Sequence, residues 1–178
     1  MKNLILFLTL FRMIASPIIF FLVAILNLYG ISLVLFILAA ITDFFDGYLA
    51  RKYGLVSELG AVLDPVADKI LILFPIFAIT LVLESEFTGF IGCFILAREF
   101  WVGALRDFNA RNNNESATSV TFLAKIKTSI QLFAIIIFLL GLYFGNALIL
   151  FIANFILFLA LIITLQTGLS YTMASFKK

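Results

Sequence analysis

Long apolar runs follow one another along this chain, separated only by short turns. A bilayer-crossing helix needs about 20 mostly apolar residues. Six such segments stand out, at residues 11–28, 31–50, 59–83, 89–108, 118–143 and 147–172, with a further short apolar stretch at 4–10. Asn27-Leu28-Tyr29-Gly30, Glu84-Ser85-Glu86 and Gly145-Asn146 supply the turn chemistry between them. Segments joined this tightly are antiparallel neighbours. The pattern predicts an all-α integral membrane protein of six transmembrane helices forming one domain, residues 1–178, without repeats or a separate soluble part. Residues 1–17 carry some marks of a signal peptide: Lys2, an apolar run and Ala15-Ser16. Arg12 interrupts that run, however, and Pro17 leads into more apolar sequence, so the segment is assigned to the first span.

Composition supports the bilayer assignment. Hydrophobic residues make up 64% of the 178 and charged residues 12%, with a mean hydropathy of +1.21. Soluble domains run near 45–50% apolar and about 25% charged. The one cysteine, Cys93, excludes an internal disulfide framework and a cysteine-based zinc site. The absence of histidine excludes a Ser-His-Asp triad, a phosphohistidine relay and a histidine-ligated metal. A net charge of +2 gives no reason to expect nucleic acid as a partner. Trp101 is expected as an interfacial anchor.

The distribution of charge says more than its sum. In a six-span alternation, all twelve lysines and arginines fall on one side of the membrane, and the opposite turns carry Glu84 and Glu86. The positive-inside rule then puts both termini in the cytoplasm. Several charges lie within the spans rather than in loops: Asp43 and Asp46 late in the second, Asp64 and Asp68 early in the third, Arg98, Glu99 and Arg106 along the fourth, and Lys125 and Lys127 in the fifth. Intramembrane charge is expensive, and short aspartates cannot snorkel to the interface. Four of them together need a counter-charge. Salt bridges to Arg51, Lys52 and Lys69 would supply it; so would bound cations.

Spacing favours the cations. Asp43, Asp46, Gly47 and Ala50 recur at i, i+3, i+4 and i+7, one helical face, and Gly60, Asp64 and Asp68 recur at i, i+4 and i+8. Two faces of carboxylates flanked by small residues offer hard oxygen ligands with room for a bulky group beside them. Arg51 at the helix end suits a phosphate. The arrangement points to metal-dependent phosphate chemistry, open to the cytoplasm and the bilayer.

The same residues resemble a known family. Asp43-x2-Asp46-Gly47-x2-Ala50-Arg51-x8-Gly60-x3-Asp64-x3-Asp68 matches the CDP-alcohol phosphatidyltransferase motif at all eight fixed positions over 26 residues. Leu8-Thr9-Leu10-Phe11-Arg12 with Pro17, Leu63-Asp64-Pro65-Val66-Ala67-Asp68-Lys69, Ala97-Arg98-Glu99-Phe100 with Leu105-Arg106, and Lys125-Ile126-Lys127-Thr128 with Gln131 are similar to segments of that family's phosphatidylglycerophosphate synthases. Ala124 stands where those have glycine. The resemblance implies the CDP-alcohol phosphotransferase fold of six spanning helices, usually a homodimer, in a bacterial-type inner membrane. It implies two divalent metals, Mg²⁺ or Mn²⁺, on Asp43, Asp46, Asp64 and Asp68, with Asp68 also the general base. It assigns Asp43, Gly47, Ala50, Arg51 and Gly60 to the CDP moiety and puts Thr9 and Arg12 at the pocket. The implied reaction joins CDP-diacylglycerol to an alcohol and releases CMP.

The acceptor is read from charge. Arg98, Arg106, Lys125 and Lys127 form a second basic cluster, more than a neutral alcohol needs and fitting for a buried phosphate. That favours sn-glycerol 3-phosphate. A Glu99–Arg106 ion pair is the competing expectation, although the two lie two turns apart, roughly 10 Å. Lys125 and Lys127 point about 200° apart, so one of them is expected to reach the pocket directly. Two other readings stand beside this one. The first is a sister transferase using serine, inositol phosphate or phosphatidylglycerol. The second is a six-helix cation transporter, disfavoured because the charges gather at one membrane face whereas transporter sites lie near the midplane.

Overall fold

A computed structural model of the chain describes residues 2–53, 58–112, 114–118 and 122–177; within these, side chains are described for 6–43, 45, 59, 60, 62–112, 114, 117, 118 and 126–177. Six helices account for nearly all of it: α1 (Lys2–Ala24), α2 (Tyr29–Tyr53), α3 (Glu58–Leu83), α4 (Glu86–Arg111), α5 (Phe122–Phe144) and α6 (Ala147–Phe176), with a 3-10 turn at Glu115–Thr118 between α4 and α5. No strand occurs among the described residues. Helices are the expected outcome, because lipid offers backbone amides no partner and a helix satisfies them internally.

Five helices contain stretches long and apolar enough to cross a membrane, and the chain is a multi-pass membrane protein. α2 runs past both ends of the expected segment. It is a helix of 25 residues, Tyr29–Tyr53, whose first aspartate, Asp43, already stands in its second half. The first span also differs: α1 starts at Lys2 rather than near residue 11. Arg12 does not break it, since that side chain is fully buried against other helices instead of facing lipid. Thr118, expected as the start of the fifth span, instead belongs to the 3-10 turn Glu115–Thr118, and α5 is described from Phe122.

The turns are built from local chemistry. α3 ends with Glu84 in the left-handed region (φ 47°), while Ser85 N donates to Thr80 O at 3.2 Å and Glu84 N to Leu81 O at 3.4 Å. That is a Schellman ending. Ser85 then caps α4 by accepting from Thr88 N. Gly145 (φ 60°) ends α5 in the same way, and Asn146 caps α6 by accepting from Leu148 N and Ile149 N.

Neighbouring contacts run α1–α2, α2–α5, α5–α6, α6–α4, α4–α3 and α3–α1. The six helices thus close into a ring in the order 1-2-5-6-4-3, with α3 also touching α5 across it. The interior is apolar at the end nearest the short turns, where Ile19, Val23, Phe36, Ile79, Ile91, Phe138 and Leu157 are fully buried. Small residues set the closest approaches. A Cβ on Gly141 would stand 2.7 Å from Leu150 Cδ2 and 3.2 Å from Leu150 N, so glycine there lets α5 and α6 meet. Outward positions carry lipid-facing side chains such as Phe144, Phe151 and Met173.

Candidate active site

At the other end the ring opens into a cleft of about 950 Å³ lined by α1, α2, α3, α4 and α5. One wall is acidic. Asp43 of α2 and Asp64 and Asp68 of α3 line it, and all three remain partly open, with side chains 35%, 41% and 44% exposed. They meet around one guanidinium. Arg12 Nη1 donates to Asp43 Oδ1 and to Asp68 Oδ1, and its Nη2 lies 3.6 Å from Asp64 Oδ1. One turn earlier on α1, Thr9 Oγ1 donates to Asp64 Oδ1 at 2.5 Å. Their i, i+3 spacing puts Thr9 and Arg12 on one face of α1, turned toward α2 and α3. Ser16 Oγ donates to the Arg12 carbonyl at 2.7 Å.

The opposite wall is an ion cluster on α4 and α5. Glu99 accepts from Lys127 Nζ and from Arg98 Nη1 at 3.1 Å. Arg98 and Lys127 are both buried. α6 holds Arg98 from behind: Nε donates to Thr164 O at 3.0 Å, Nη2 to Thr167 Oγ1 at 2.7 Å, and the guanidinium lies 5.7 Å from the Tyr171 ring centroid. Gln131 Nε2 donates to Thr164 Oγ1 at 3.1 Å, which ties α5 into the same group. Gly168 makes room for the arginine stem, since a Cβ there would stand 3.1 Å from Arg98 Cγ. The cleft floor between the walls is apolar, with Ile72, Ile76, Ile95 and Leu132.

The cleft therefore brings together Arg12, Asp43, Asp64, Asp68, Arg98, Arg106 and Lys127, seven of the residues singled out from sequence. Thr9 joins through Asp64. Gly60 is buried at the start of α3. The side chains of Asp46, Gly47, Ala50, Arg51, Lys52 and Lys125 lie outside the described residues. The expected Glu99–Arg106 pair does not form: Glu99 turns to Arg98 and Lys127, which are closer than a partner two turns along, and Arg106 is exposed and makes no ion pair among the described residues. Nor does Lys69 pair with the aspartates among the described residues; its Nζ lies 5.9 Å from the Phe100 ring centroid. Sequence reasoning missed the α6 contribution. The signal was there as Thr164, Thr167, Gly168, Tyr171 and Ser175, a buried stripe at helical spacing. Trp101 is half exposed and donates to Thr172 Oγ1 at 2.8 Å. Cys93 is exposed.

Chemically, the acidic wall offers only carboxylate oxygens, donors suited to hard divalent cations. Among the described residues no three acidic side chains form a metal cage by themselves; Asp43 and Asp68 both accept from the Arg12 guanidinium. The donor type and its openness to the cleft nevertheless fit a magnesium-like ion that keeps positions for substrate phosphates.

Comparison with known proteins agrees with this geometry. The sequence profile described as CDP-alcohol phosphatidyltransferase matches residues 2–166. Among curated relatives, the protein of Rickettsia typhi named CDP-diacylglycerol–glycerol-3-phosphate 3-phosphatidyltransferase is 42% identical over 98% of this chain and 97% of its own length. A Rickettsia felis protein of the same name is 42% identical over 97% and 95%, and a Shigella flexneri protein of that name 33% identical over 94% and 92%. A profile match over nearly the whole length, and relatives this similar end to end, establish that the chain belongs to the CDP-alcohol phosphatidyltransferase family.

Proposed function

We propose that this protein transfers the phosphatidyl group of CDP-diacylglycerol to sn-glycerol 3-phosphate, giving phosphatidylglycerol phosphate and CMP. The observation that carries the reading is the facing of two walls across one cleft, carboxylates on one and cations on the other. A diphosphate that needs metals and an acceptor that brings its own phosphate are both accommodated there. The full-length relatives bearing the name of this activity support it. A transporter is disfavoured by the apolar floor of the cleft.

Asp43, Asp46, Asp64 and Asp68 would hold two divalent ions, Mg²⁺ or Mn²⁺; when bound, these supply positive charge that polarises the diphosphate and stabilises the departing phosphate. The chain's own groups do the rest. Gly47, Ala50 and Gly60 keep the surface open for the nucleotide, and Arg51 neutralises its phosphate. Asp68 accepts the proton of the glycerol hydroxyl as that oxygen attacks the phosphorus bearing diacylglycerol. The new O–P bond forms as the bond to the bridging diphosphate oxygen breaks, and CMP leaves with the electron pair. Arg98, Arg106, Lys125 and Lys127 form the basic wall that draws in the acceptor phosphate. Thr9 and Arg12 fix the aspartates that do this work. We further infer a homodimer of single-domain chains in a bacterial inner membrane, with both termini and the cleft on the cytoplasmic side.

The test is incubation of purified protein with CDP-diacylglycerol, labelled glycerol 3-phosphate and Mg²⁺ or Mn²⁺. Label should enter the lipid fraction as CMP appears, EDTA should stop both, and Asp43→Asn or Asp64→Asn should lose most activity while still inserting in the membrane. Full activity in saturating EDTA would end the metal reading. Transfer only to an uncharged alcohol would end the acceptor reading.

A further inference from the structure

The cations of the cleft divide into those already committed to carboxylates and those that are not. Arg12 is held by the aspartates. Arg98 and Lys127 share Glu99, and Arg98 is also bound by Thr164 and Thr167. Two cations that line the cleft, Lys69 and Arg106, form no ion pair among the described residues. Arg106 was anticipated from sequence; Lys69 was considered only as a salt-bridge partner.

The position of Lys69 is specific. It follows Asp68 directly on α3, so its backbone belongs to the acidic wall. Its side chain crosses to α4, where its Nζ stands 3.6 Å from the point a Cβ on Gly103 would occupy and 5.9 Å from the Phe100 ring centroid. Glu99, Gly103 and Arg106 recur at i, i+4 and i+7 on that helix, one face. The ammonium therefore rests on the bare backbone between Glu99 and Arg106. Glycine at 103 leaves the space in which the lysine head lies.

We propose that Lys69, together with Arg106, binds the phosphate of a phosphomonoester acceptor, which makes Lys69 a specificity-determining residue of the transfer reaction. The inference rests on the proposed reaction and deepens it. A phosphate dianion held by these two cations gains two charge-assisted partners that no carboxylate already pairs among the described residues. It also lies in the same cleft as Asp68, the proposed general base. A phosphate held by Lys127 alone would have to share that ammonium with Glu99.

The test is steady-state kinetics of Lys69→Met, Lys69→Arg and Gly103→Val in detergent or nanodiscs, with both substrates varied. Losing one charge-assisted phosphate contact is expected to raise KM for glycerol 3-phosphate about ten- to a hundredfold. KM for CDP-diacylglycerol should stay within about twofold, and Lys69→Arg should recover most of the loss. Gly103→Val keeps every charge but fills the ammonium's resting place, so it should raise the acceptor KM in the same selective way. If Lys69→Met does not accumulate in the membrane, Gly103→Val decides by that criterion. An unchanged acceptor KM, or an equal rise for both substrates, overturns the assignment. Failure of the reaction itself is read separately, from the unmodified protein: if that uses an uncharged alcohol and not glycerol 3-phosphate, both readings fall.

Discussion

Replacing Arg12 with methionine removes the only charge that the described acidic wall shares, and its cost can be bounded from the geometry. The Arg12 side chain is fully buried, while its three carboxylate partners are 35–44% exposed. Exposed ion pairs are worth about 0–1 kcal/mol, and breaking a fully buried pair costs about 3–5 kcal/mol. A buried arginine facing half-solvated aspartates belongs between these limits, at about 2–4 kcal/mol. Methionine fills most of the stem volume, so the cavity contribution is small and the loss is mainly electrostatic. For a chain of this length each kcal/mol shifts Tm by about 2–4 °C. Arg12→Met should therefore unfold about 5–15 °C below the parent when both are scanned at one rate in detergent with EDTA, followed by helix circular dichroism. Arg12→Lys should fall between the two, since it keeps the charge but loses the fork that reaches two carboxylates at once. Saturating Mg²⁺ should narrow the gap, because a bound cation stabilises the folded state by mass action and supplies the charge the variant lacks. A shift below about 2 °C in EDTA would refute the view that Arg12 organises the acidic wall. A gap untouched by Mg²⁺ would refute the view that arginine and metal serve the same carboxylates.

Topology offers a second check. Reporters fused at residue 85 and after Lys178 should report opposite sides of the membrane, periplasmic and cytoplasmic; a cytoplasmic signal at 85 would overturn the six-helix alternation. A third concerns the α5–α6 hairpin: Gly141→Ala puts a Cβ against Leu150 where backbone as well as side chain is in the way, which should cost about 1–3 kcal/mol, seen as a Tm lowered by several degrees. An unchanged Tm would mean that the two helices are not held at the separation described.

Much of this architecture was legible because lipid leaves a chain few options: apolar runs of spanning length have to be helices, and short turns force antiparallel neighbours. Asp43, Asp64 and Asp68 were legible for the opposite reason, since carboxylates within apolar helices demand an explanation. Partner choice was harder to read. Glu99 has Arg98 and Arg106 near it on its own helix, and helical geometry alone does not reveal that Lys127 approaches from α5. The direction of Lys69 was equally hidden, because it depends on a glycine in a different helix. Arg12 was placed at the pocket by the resemblance alone, since burial against α2 and α3 is a tertiary property that the apolar run does not show. Thr164 and Thr167 escaped notice because hydroxyls in a transmembrane helix so often satisfy themselves on their own backbone, and here Thr164 Oγ1 and Thr167 Oγ1 do bond to Ala160 O and Ile163 O.

The depth of Asp43 within α2 has a consequence for the membrane itself. From Tyr29 to Asp43 the helix rises about 21 Å, against a hydrocarbon thickness of about 30 Å. A carboxylate placed at that depth is accommodated by local thinning of the bilayer or by helix tilt. Where the leaflet dips beside α2, headgroups descend toward the level of the aspartates. A lipid-anchored diphosphate can then enter the cleft sideways with its acyl chains still among their neighbours, so the energetic cost of lifting two hydrocarbon tails into water never arises.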